Sequence, residues 1–488
     1  MNSGDSMRAE RLKKLDILKS AGINPYPAST KRTGSIADFV AKFAEGQEAT
    51  LAGRVMSVRG QGGIMFADIY DGTGRIQVVL QKDDLPAGKA GAPEAFDLFD
   101  QTVDQGDFIE ATGAGYTTKR GSQSLKAASW AMLAKALSPL PGEWQGLQDP
   151  ELKLRQRYLD ILLDPELRAM FERRTKFWQT IRQFYIDKGF MEVDTPVLET
   201  SPGGADARPF ETRHNALDID VNLRISLELW LKRLLVAGFP KVFEIGRIFR
   251  NEGQSREHLQ DYTQWESYEA YSDLKKGGEF VKELYRRIAT EVYGKTKFEI
   301  NGHVVDLAKE WEVIDFCKVI KDKFGIDPLT ATESEAIAAV EKAGLKPGET
   351  LNLARAVDYL WKSVRKSVAG PAFLVGVPAY LEPLAKRYDK NPKVVERLQV
   401  ILAGSEVGKG FSELNDPIDQ RARFEEQQKM RDAGDPEAQR LDEEYVEAME
   451  YGMPPSFGFG MSERLFSFLE NRPIHEAQLF PLLRPKGK

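Results

Sequence analysis

Short apolar runs separated by glycine-rich turns predict a small β-barrel in the first third of the chain. The predicted strands cover residues 51–58, 65–70, 75–81, 108–113 and 124–133. Several short strands at this spacing are typical of a barrel. A charged amphipathic pattern over residues 7–21 predicts a helix in front of it. The barrel itself is expected over residues 49–137, after an N-terminal helical extension over residues 1–48.

Beyond a predicted linker at residues 138–164, helices and strands mix, and they indicate a larger domain over residues 165–488. A helix is expected at residues 165–188 and a strand that stops at Pro196, because proline cannot donate to a ladder. A hairpin follows at residues 242–271. Helix-rich residues 307–367 interrupt the pattern as an insertion. Glycine-rich strands return at residues 404–414 and 457–461, which makes the chain an α+β multidomain protein.

The hairpin carries most of the candidate chemistry. Its alternation places Arg250 and Glu252 on one face of the outgoing strand, and Tyr262, Glu266 and Tyr268 on one face of the return. A guanidinium can hold a phosphate or carboxylate, while glutamates accept hydrogen bonds from amino groups. An amino acid together with ATP is such a ligand pair. A solvated hairpin with ordinary cross-strand ion pairs is the alternative.

Composition narrows the class of protein. The chain has 488 residues, of which 29% are charged, and its net charge is −6, so any RNA binding must come from local basic and aromatic patches. The lone cysteine, Cys317, excludes internal disulfides and thiolate metal clusters. No apolar run is long enough for a membrane span and the N-terminus lacks the core of a signal peptide, so a cytoplasmic protein without membrane contact is expected.

Three separated segments resemble motifs 1, 2 and 3 of the class II aminoacyl-tRNA synthetases. They are the helix leading to Gly189 and Pro196, the hairpin with Arg250-Asn251-Glu252, and the strand and helix joined by Glu463-Arg464. Within that class, further segments resemble the lysyl-tRNA synthetases: residues 202–205, 207–210, 214–217, 224–225, 228–229, 231–234 and 410–416. The resemblance extends from about residue 8 to Pro485.

This resemblance implies an N-terminal OB-fold anticodon-binding barrel followed by a class II antiparallel-sheet catalytic domain with a helical insertion. It implies ATP-dependent activation of L-lysine to lysyl-adenylate and transfer to the 3'-terminal ribose of tRNA(Lys). Mg²⁺ would accompany ATP. The motif 1 segment would form the interface of a homodimer.

Matching motif positions assigns roles to individual residues. ATP binding falls to Arg250, Glu252, His258, Tyr262, Glu406 and Arg464, of which Arg250 and Arg464 are catalytic. Lysine binding falls to Gly204, Glu228, Arg250, Glu266, Tyr268, Lys409, Phe411 and Glu413. Metal binding falls to Glu406 with Gln399, and anticodon binding to Phe66 and Gln77. Core packing is the alternative for Phe66 and Tyr268, and a surface carboxylate the alternative for Glu413.

The chain also departs from the family pattern. Gln399 stands where a glutamate usually joins Glu406 in metal binding, and Lys409 replaces an asparagine. The motif 2 loop has Arg256 one place early and Glu257 where an arginine is usual, and motif 3 is one residue short. On a regular strand Glu406 would face away from Lys409, so a distortion is predicted at residues 408–410.

Other functions fit parts of the pattern. An aspartyl- or asparaginyl-type synthetase shares the OB-fold, and His258-Leu259 resembles the motif 2 loop of those enzymes. Glu266, Tyr268 and Glu413 would repel or fail to satisfy an aspartate. A paralogue that lysylates a protein would lack the barrel. A catalytically silent RNA-binding paralogue is the remaining alternative.

Overall fold

A closed five-stranded β-barrel forms near the N-terminus of this computed structural model, which describes residues 3–87, 94–141, 147–253, 255–346, 351–432 and 438–486. Its strands are β1 (Glu48–Gln61), β2 (Ile64–Tyr70), β3 (Arg75–Gln81), β4 (Phe108–Thr117) and β5 (Gln123–Ala134), in the order β1-β2-β3-β5-β4. Alternation along β2 places Met65, Ala67 and Ile69 in the barrel core, while Phe66 and Asp68 face outward and are half-buried.

Three helices accompany the barrel: α1 (Ser3–Ser20), α2 (Ile36–Ala41) and α3 (Ala95–Thr102). Leu18 of α1 and Ile36 and Phe39 of α2 are buried with the barrel's own apolar residues. The first of two compact units therefore spans Met1–Pro150 and includes the N-terminal helices, and the second spans Glu151–Lys488. Of the predicted linker, residues 142–146 lie outside the described residues, and its second half forms α4 (Pro150–Arg155) and α5 (Arg157–Leu163).

An eight-stranded sheet is the centre of the second unit, with the strand order β14-β15-β18-β19-β20-β11-β10-β6. All neighbours are antiparallel except β14 with β15 and β10 with β6, at the two edges. The strands of this unit are β6 (Met191–Glu192), β7 (Leu198–Glu199), β8 (Glu211–His214), β9 (Ile219–Leu223), β10 (Lys241–Phe249), β11 (Asp261–Ala270), β12 (Lys297–Ile300), β13 (His303–Asp306), β14 (Glu312–Asp315), β15 (Ala372–Val375), β16 (Arg387–Tyr388), β17 (Asn391–Val395), β18 (Arg397–Leu402), β19 (Ser405–Ser412) and β20 (Ser456–Ser462).

The two faces of this sheet have different roles. The helices of the unit are α6 (Pro165–Asp187), α7 (Glu228–Val236), α8 (Leu274–Tyr293), α9 (Phe316–Phe324), α10 (Glu333–Lys342), α11 (Leu353–Arg365), α12 (Pro417–Asp432), α13 (Glu443–Glu450) and α14 (Arg464–Leu469). Trp265 and Ser267 of β11 bond to Tyr185 of α6, inside the apolar core beneath α6 and α8. The alternate residues Tyr262, Glu266 and Tyr268 consequently point to the opposite face.

The structure corrects the hairpin prediction at its tip. Strand β10 ends at Phe249, so Arg250 and Glu252 lie in the following loop and not on a strand face. The ladder ends with the pair Phe249 and Asp261, and one further hydrogen bond, from Arg250 N to Gln260 O at 2.8 Å, lies beyond it.

The helical insertion predicted at residues 307–367 begins later in the structure than expected. Residues Glu312–Asp315 pair in parallel with β15 and belong to the sheet as β14. The helices α9, α10 and α11 follow this strand, and residues 347–350 between the last two lie outside the described residues.

Strand β19 contains the predicted distortion. Its pairing with β18 shifts register between Glu406 and Lys409, where two residues of β19, Val407 and Gly408, oppose one residue of β18, Val400. Within the shift, Gly408 has a φ of 154°, and a Cβ there would lie 2.6 Å from Tyr285 Oη. The bulge includes Gly408 and begins before it. As a result Glu406, Lys409 and Phe411 all line the same cleft.

Candidate active site

A cleft of about 370 Å³ opens on the sheet face opposite α6 and α8. It is lined by residues of β11, β19 and β20, the start of α7 and the loop after β10. The sequence-predicted residues that line it are Gly204, Glu228, Arg250, Tyr262, Glu266, Tyr268, Gln399, Glu406, Lys409, Phe411, Glu413 and Arg464. Residues separated by more than 250 positions are thus brought into one cavity.

The floor of the cleft is acidic. Glu266 and Glu413 are both buried, and Tyr268 donates its phenol proton to Glu266 Oε2 at 2.9 Å. Glu266 also accepts from Ser226 Oγ at 3.0 Å and from the backbone N–H of Leu227 at 3.2 Å. These contacts orient one carboxylate of the floor. A buried carboxylate group of this kind favours a cationic partner.

Burial has a direct effect on the acidity of these groups. It raises the pKa of Glu413 well above its ordinary range, and the neighbouring Glu228 adds to the effect while Lys232 opposes it. Burial likewise raises the pKa of Glu228 and that of the Tyr268 phenol. The Tyr268 side chain is therefore a neutral hydrogen-bond donor at the floor. Glu413 is therefore not a surface carboxylate, and Tyr268 combines burial in an apolar cluster with a hydrogen bond to Glu266.

A glycine of β20 makes room for the floor. A Cβ at Gly458 would lie 2.0 Å from Glu413 Oε1 and 2.5 Å from Tyr268 Cε1. No side chain fits between these two groups without displacing them. The cleft therefore depends on glycine at this position of β20. The alternate residues Phe457, Phe459 and Met461 belong to the apolar core on the other face of the strand.

The opposite end of the cleft is cationic. Arg250 donates from Nε to Ile225 O at 3.1 Å, and its guanidinium carbon is 5.8 Å from the centre of the Tyr262 ring. Arg464 donates to the backbone oxygens of Glu257 at 3.2 Å and Glu406 at 3.3 Å. Backbone carbonyls therefore fix two guanidinium groups, and one of them lies near an aromatic ring, in a geometry that suits an anionic ligand with an aromatic part.

Glu252 and His258 lie in the loop between β10 and β11 and do not line the cleft in this structure. His258 Nδ1 is 2.7 Å from Ser255 Oγ, and Gln260 Nε2 donates to the backbone oxygen of Glu252 at 3.2 Å. Both predicted ATP contacts thus sit on a loop at the cationic end.

The candidate metal residues are only a partial ligand set. Glu406 Oε1 accepts from Trp361 Nε1 at 2.7 Å, and its other oxygen is 3.6 Å from Arg365 Nη1. Gln399 Oε1 accepts from Arg397. Among the described residues, no cluster of three or more His, Cys, Asp or Glu side chains is arranged to hold a metal. One carboxylate is available, which matches the way Mg²⁺ binds when phosphates supply the other oxygens.

The outer face of the barrel carries the candidate anticodon residues. Phe66 is half-exposed on β2, and the guanidinium of Arg59 lies 5.6 Å from its ring centre. Gln77 is half-exposed on β3, opposite Asp68. Phe66 therefore does not belong to the barrel core, which removes that alternative. An aromatic ring beside a guanidinium and an amide is the surface that single-stranded bases bind in OB-folds.

Two family descriptions match the chain. Residues 149–484 match tRNA synthetases class II (D, K and N), and residues 49–133 match the OB-fold nucleic acid binding domain. Lysine--tRNA ligases of Roseiflexus sp. and of Pelotomaculum thermopropionicum are both 42% identical to the chain, over 99% and 98% of its length and 99% and 95% of theirs. The lysine--tRNA ligase of Thermoanaerobacter pseudethanolicus is 41% identical over 98% of the chain and 96% of its own length.

This chain belongs to the lysine--tRNA ligase family. It is therefore an aminoacyl-tRNA synthetase, and the predicted family and the α+β fold class are confirmed. Among the described residues, no helix combines the length and apolarity that crossing a membrane requires.

Charged residues at or beside this synthetase's cleft also went unpredicted, among them Arg397, Glu382 and Lys232. Glu382 lies 3.0 Å from Arg397 and 3.3 Å from Lys409, so the lysine that replaces the usual asparagine has its own carboxylate partner. The loop that carries Glu382 gives no motif from which this contact could be predicted.

Lys232 is the third, and here the sequence did contain a signal. It follows Glu228 by four positions on α7, a spacing that places two side chains on the same helix face. Both residues are buried, although an ion pair of this kind is usually found at the surface.

Proposed function

We propose that this chain activates L-lysine with ATP to form lysyl-adenylate and transfers the lysyl group to the 3'-terminal ribose of tRNA(Lys). One observation carries the proposal: a single cleft has buried carboxylates at its floor and two guanidinium groups at its other end. The floor suits a long cationic side chain, and the guanidinium groups suit the carboxylate and the phosphates. An aspartate side chain would meet Glu266 and Glu413 with a third negative charge.

Activation in this cleft depends on placement and charge. Arg250 holds the lysine carboxylate and the α-phosphate of ATP close together, so that a carboxylate oxygen attacks the α-phosphorus and pyrophosphate leaves. The guanidinium stabilises the negative charge that develops on the phosphoryl oxygens. Arg464 holds the γ-phosphate. No side chain of the protein acts as a nucleophile in this step.

The adenine is held by the loop after β10 and by β11. Tyr262 stacks on the ring, Glu252 accepts from the exocyclic amino group, and His258 contacts the γ-phosphate. Glu252 and His258 lie on a loop at the cationic end of the cleft. We therefore expect this loop to move slightly when ATP binds, so that both side chains reach the nucleotide.

Lysine is selected by charge at both of its amino groups. Gly204 and Glu228 bind the α-amino group, while Glu266, Tyr268 and Glu413 surround the ε-ammonium and Phe411 packs on the aliphatic stem. An apolar or acidic competitor would leave these buried carboxylates without partners. The free-energy cost of such unpaired buried charges excludes these competitors. Lys409 pairs with Glu382 and borders the lysine site.

Mg²⁺ would be held by Glu406 and the ATP phosphates, with Gln399 as a weak neighbour. When bound, the ion offsets negative charge on the phosphates. Trp361 and Arg365 of α11 fix the Glu406 carboxylate in the cleft wall.

The barrel supplies tRNA recognition. We assign anticodon binding to residues 49–137, with Phe66 stacking on a base and Gln77 offering an amide edge, and catalysis to residues 165–488. Transfer of lysine to tRNA is expected in the cytoplasm.

We also propose that the chain forms a homodimer. The end of α6 and the segment around β6 to β9 expose a set of large apolar side chains: Ile186, Met191, Val197, Leu198, Leu217 and Ile219. Such residues on one segment favour a two-fold interface there, which would brace the adjacent β10–β11 hairpin.

Pyrophosphate exchange with each amino acid in turn tests the activity and its specificity together. We expect exchange with lysine and none with aspartate or asparagine. Exchange with aspartate or asparagine would favour an aspartyl- or asparaginyl-type synthetase. No exchange with any amino acid would favour a catalytically silent RNA-binding protein.

A further inference from the structure

The floor of the cleft contains a cation as well as carboxylates. Lys232 is completely buried on α7, and its Nζ lies 2.5 Å from Glu228 Oε1 and in an ion pair with Glu413. A third carboxylate, Glu266, accepts only from neutral groups among its described hydrogen-bond partners, which include Ser226, Gln264 and Tyr268. Three carboxylates and one ammonium therefore share this floor.

When all three carboxylates are ionised, the single ammonium leaves two negative charges unbalanced. Free lysine brings two ammonium groups, one at each end, and its carboxylate is met separately by Arg250. A buried charge without a partner is costly, so a pocket is most selective when its charge equals that of its ligand with opposite sign.

We propose that Lys232 is a positioning residue of the lysine site: its fixed ammonium balances one of the three floor carboxylates, so that the remaining two match the two ammonium groups of the substrate. Lys232 does not itself touch the substrate in this scheme. It acts through Glu228 and Glu413, which do. The inference rests on the proposed lysine activation and deepens it.

The surroundings of Lys232 support a permanent positive charge. Burial alone opposes the charge, but Glu228 and Glu413 outweigh it and raise the pKa of Lys232. Tyr445 of α13 and Tyr268 of β11 face the group as neutral phenols, and the Phe411 ring centre is 5.2 Å from Nζ. The nearby Lys409 is paired with Glu382.

Removal of this ammonium changes how protons bind at the floor. The pKa values of Glu228 and Glu413 are already raised by burial, and Lys232 opposes that rise at both. Without Lys232 they would rise further, and a carboxyl that holds a proton cannot pair with an ammonium group. Lysine affinity must then fall as the pH is lowered, starting from a higher pH than in the unchanged protein.

The test is the pH dependence of the Michaelis constant for lysine in pyrophosphate exchange, measured for the unchanged full-length chain and for Lys232→Met. We expect the pH at which lysine affinity begins to fall to move upward by about one unit or more in the variant. The constant for ATP should keep its pH profile. Titration of free lysine is common to both proteins and cancels in the comparison.

Lys241→Met is the matched control, because Lys241 pairs with Glu269 at 2.7 Å and does not line the cleft. Its profile should coincide with that of the unchanged protein. If Lys232→Met raises the Michaelis constant for lysine by the same factor at every pH, Lys232 only packs the floor and the inference is wrong. Failure of the unchanged protein to use lysine would instead reject the proposed function.

A second comparison decides the question if Lys232→Met does not fold. Glu413→Gln keeps Lys232 paired with Glu228. In Glu413→Gln with Lys232→Met only one buried carboxylate, Glu228, loses its cationic partner, whereas two lose it in Lys232→Met, so the double variant should be better tolerated. The double variant should show the upward shift relative to Glu413→Gln alone. Identical pH profiles for these two variants would overturn the inference.

Discussion

Glu413 is the residue on which lysine selectivity is expected to depend most, because it is 1% exposed and lies at the closed end of the cleft. Glu413→Gln keeps the shape and removes the charge that faces the ε-ammonium. A hydrogen bond to a charged group contributes about 1.5 to 3 kcal/mol, so the Michaelis constant for lysine should rise roughly tenfold or more. That for ATP should stay unchanged.

Glu447→Gln is the control for this change, since Glu447 is exposed on α13 and the substitution alters the net charge by the same amount. Steady-state pyrophosphate exchange gives both constants. An unaltered lysine constant in Glu413→Gln would show that the ε-ammonium binds elsewhere.

A single substitution at Phe66 tests the proposed role of the barrel in anticodon binding. If its ring stacks on an anticodon base, Phe66→Ala should weaken tRNA binding by about 1 to 3 kcal/mol, while Phe66→Tyr keeps the ring and the affinity. Amino-acid activation without tRNA should be unaffected in both variants. Filter binding and exchange assays separate the two effects, and equal losses in both would mean that the substitution unfolds the barrel.

Gln399 leaves the metal site with one carboxylate. Its amide oxygen already accepts from Arg397, so the nucleotide-free protein should bind Mg²⁺ weakly and gain affinity when ATP arrives. Gln399→Glu should bind Mg²⁺ more tightly before ATP is present, as titration calorimetry can measure. Tight binding by the unchanged protein without ATP would contradict this interpretation of the substitution.

At the scale of elements, the bulge in β19 is the feature that places Glu406 in the cleft with Lys409. A Cβ at Gly408 would meet Tyr285 Oη at 2.6 Å and Phe459 Cζ at 2.8 Å, so Gly408→Ala must shift the strand or its packing. Overpacking of this kind typically costs about 1 to 3 kcal/mol, and the Mg²⁺ dependence of activation should change with it.

Thermal unfolding and exchange activity check this expectation. Gly253→Ala is the control for unfolding, because a Cβ at Gly253 meets no atom of the described residues within 4 Å, its chain neighbours aside. If Gly408→Ala unfolds at the same temperature as Gly253→Ala and keeps its Mg²⁺ dependence, the bulge does not depend on glycine.

For the whole molecule, the exposed apolar residues around β7 predict a dimer. Leu198 is 46% exposed, and Leu198→Glu should shift sedimentation toward a monomer and lower exchange activity, since the interface would support the β10–β11 hairpin. Val313→Glu is the control, because Val313 is an exposed apolar residue on β14, at the edge of the eight-stranded sheet opposite β6. A fully active monomer of the unchanged protein would reject the interface.

The sequence by itself determined the order of the elements and the candidate residues. Barrel strands, the motif 1 helix and β20 follow from local periodicity, and residues such as Tyr262, Glu266 and Tyr268 share a face because alternation along a strand is a local property. Family motifs then supplied their roles. Local patterns failed at Arg250 and Glu252, because the strand on which they were expected already ends at Phe249.

Only the tertiary structure decided which charges meet. Lys232 reaches Glu413, and Glu382 reaches Lys409, because α7, β19 and the loop before β16 converge on one cleft, although each pair comes from different elements of the chain. The register of β18 against β19 turns Glu406 toward the same cleft as Lys409. Contacts of this kind depend on long-range pairing and packing, which residue periodicity does not encode; the balance of charge at the lysine site is therefore a property of the fold.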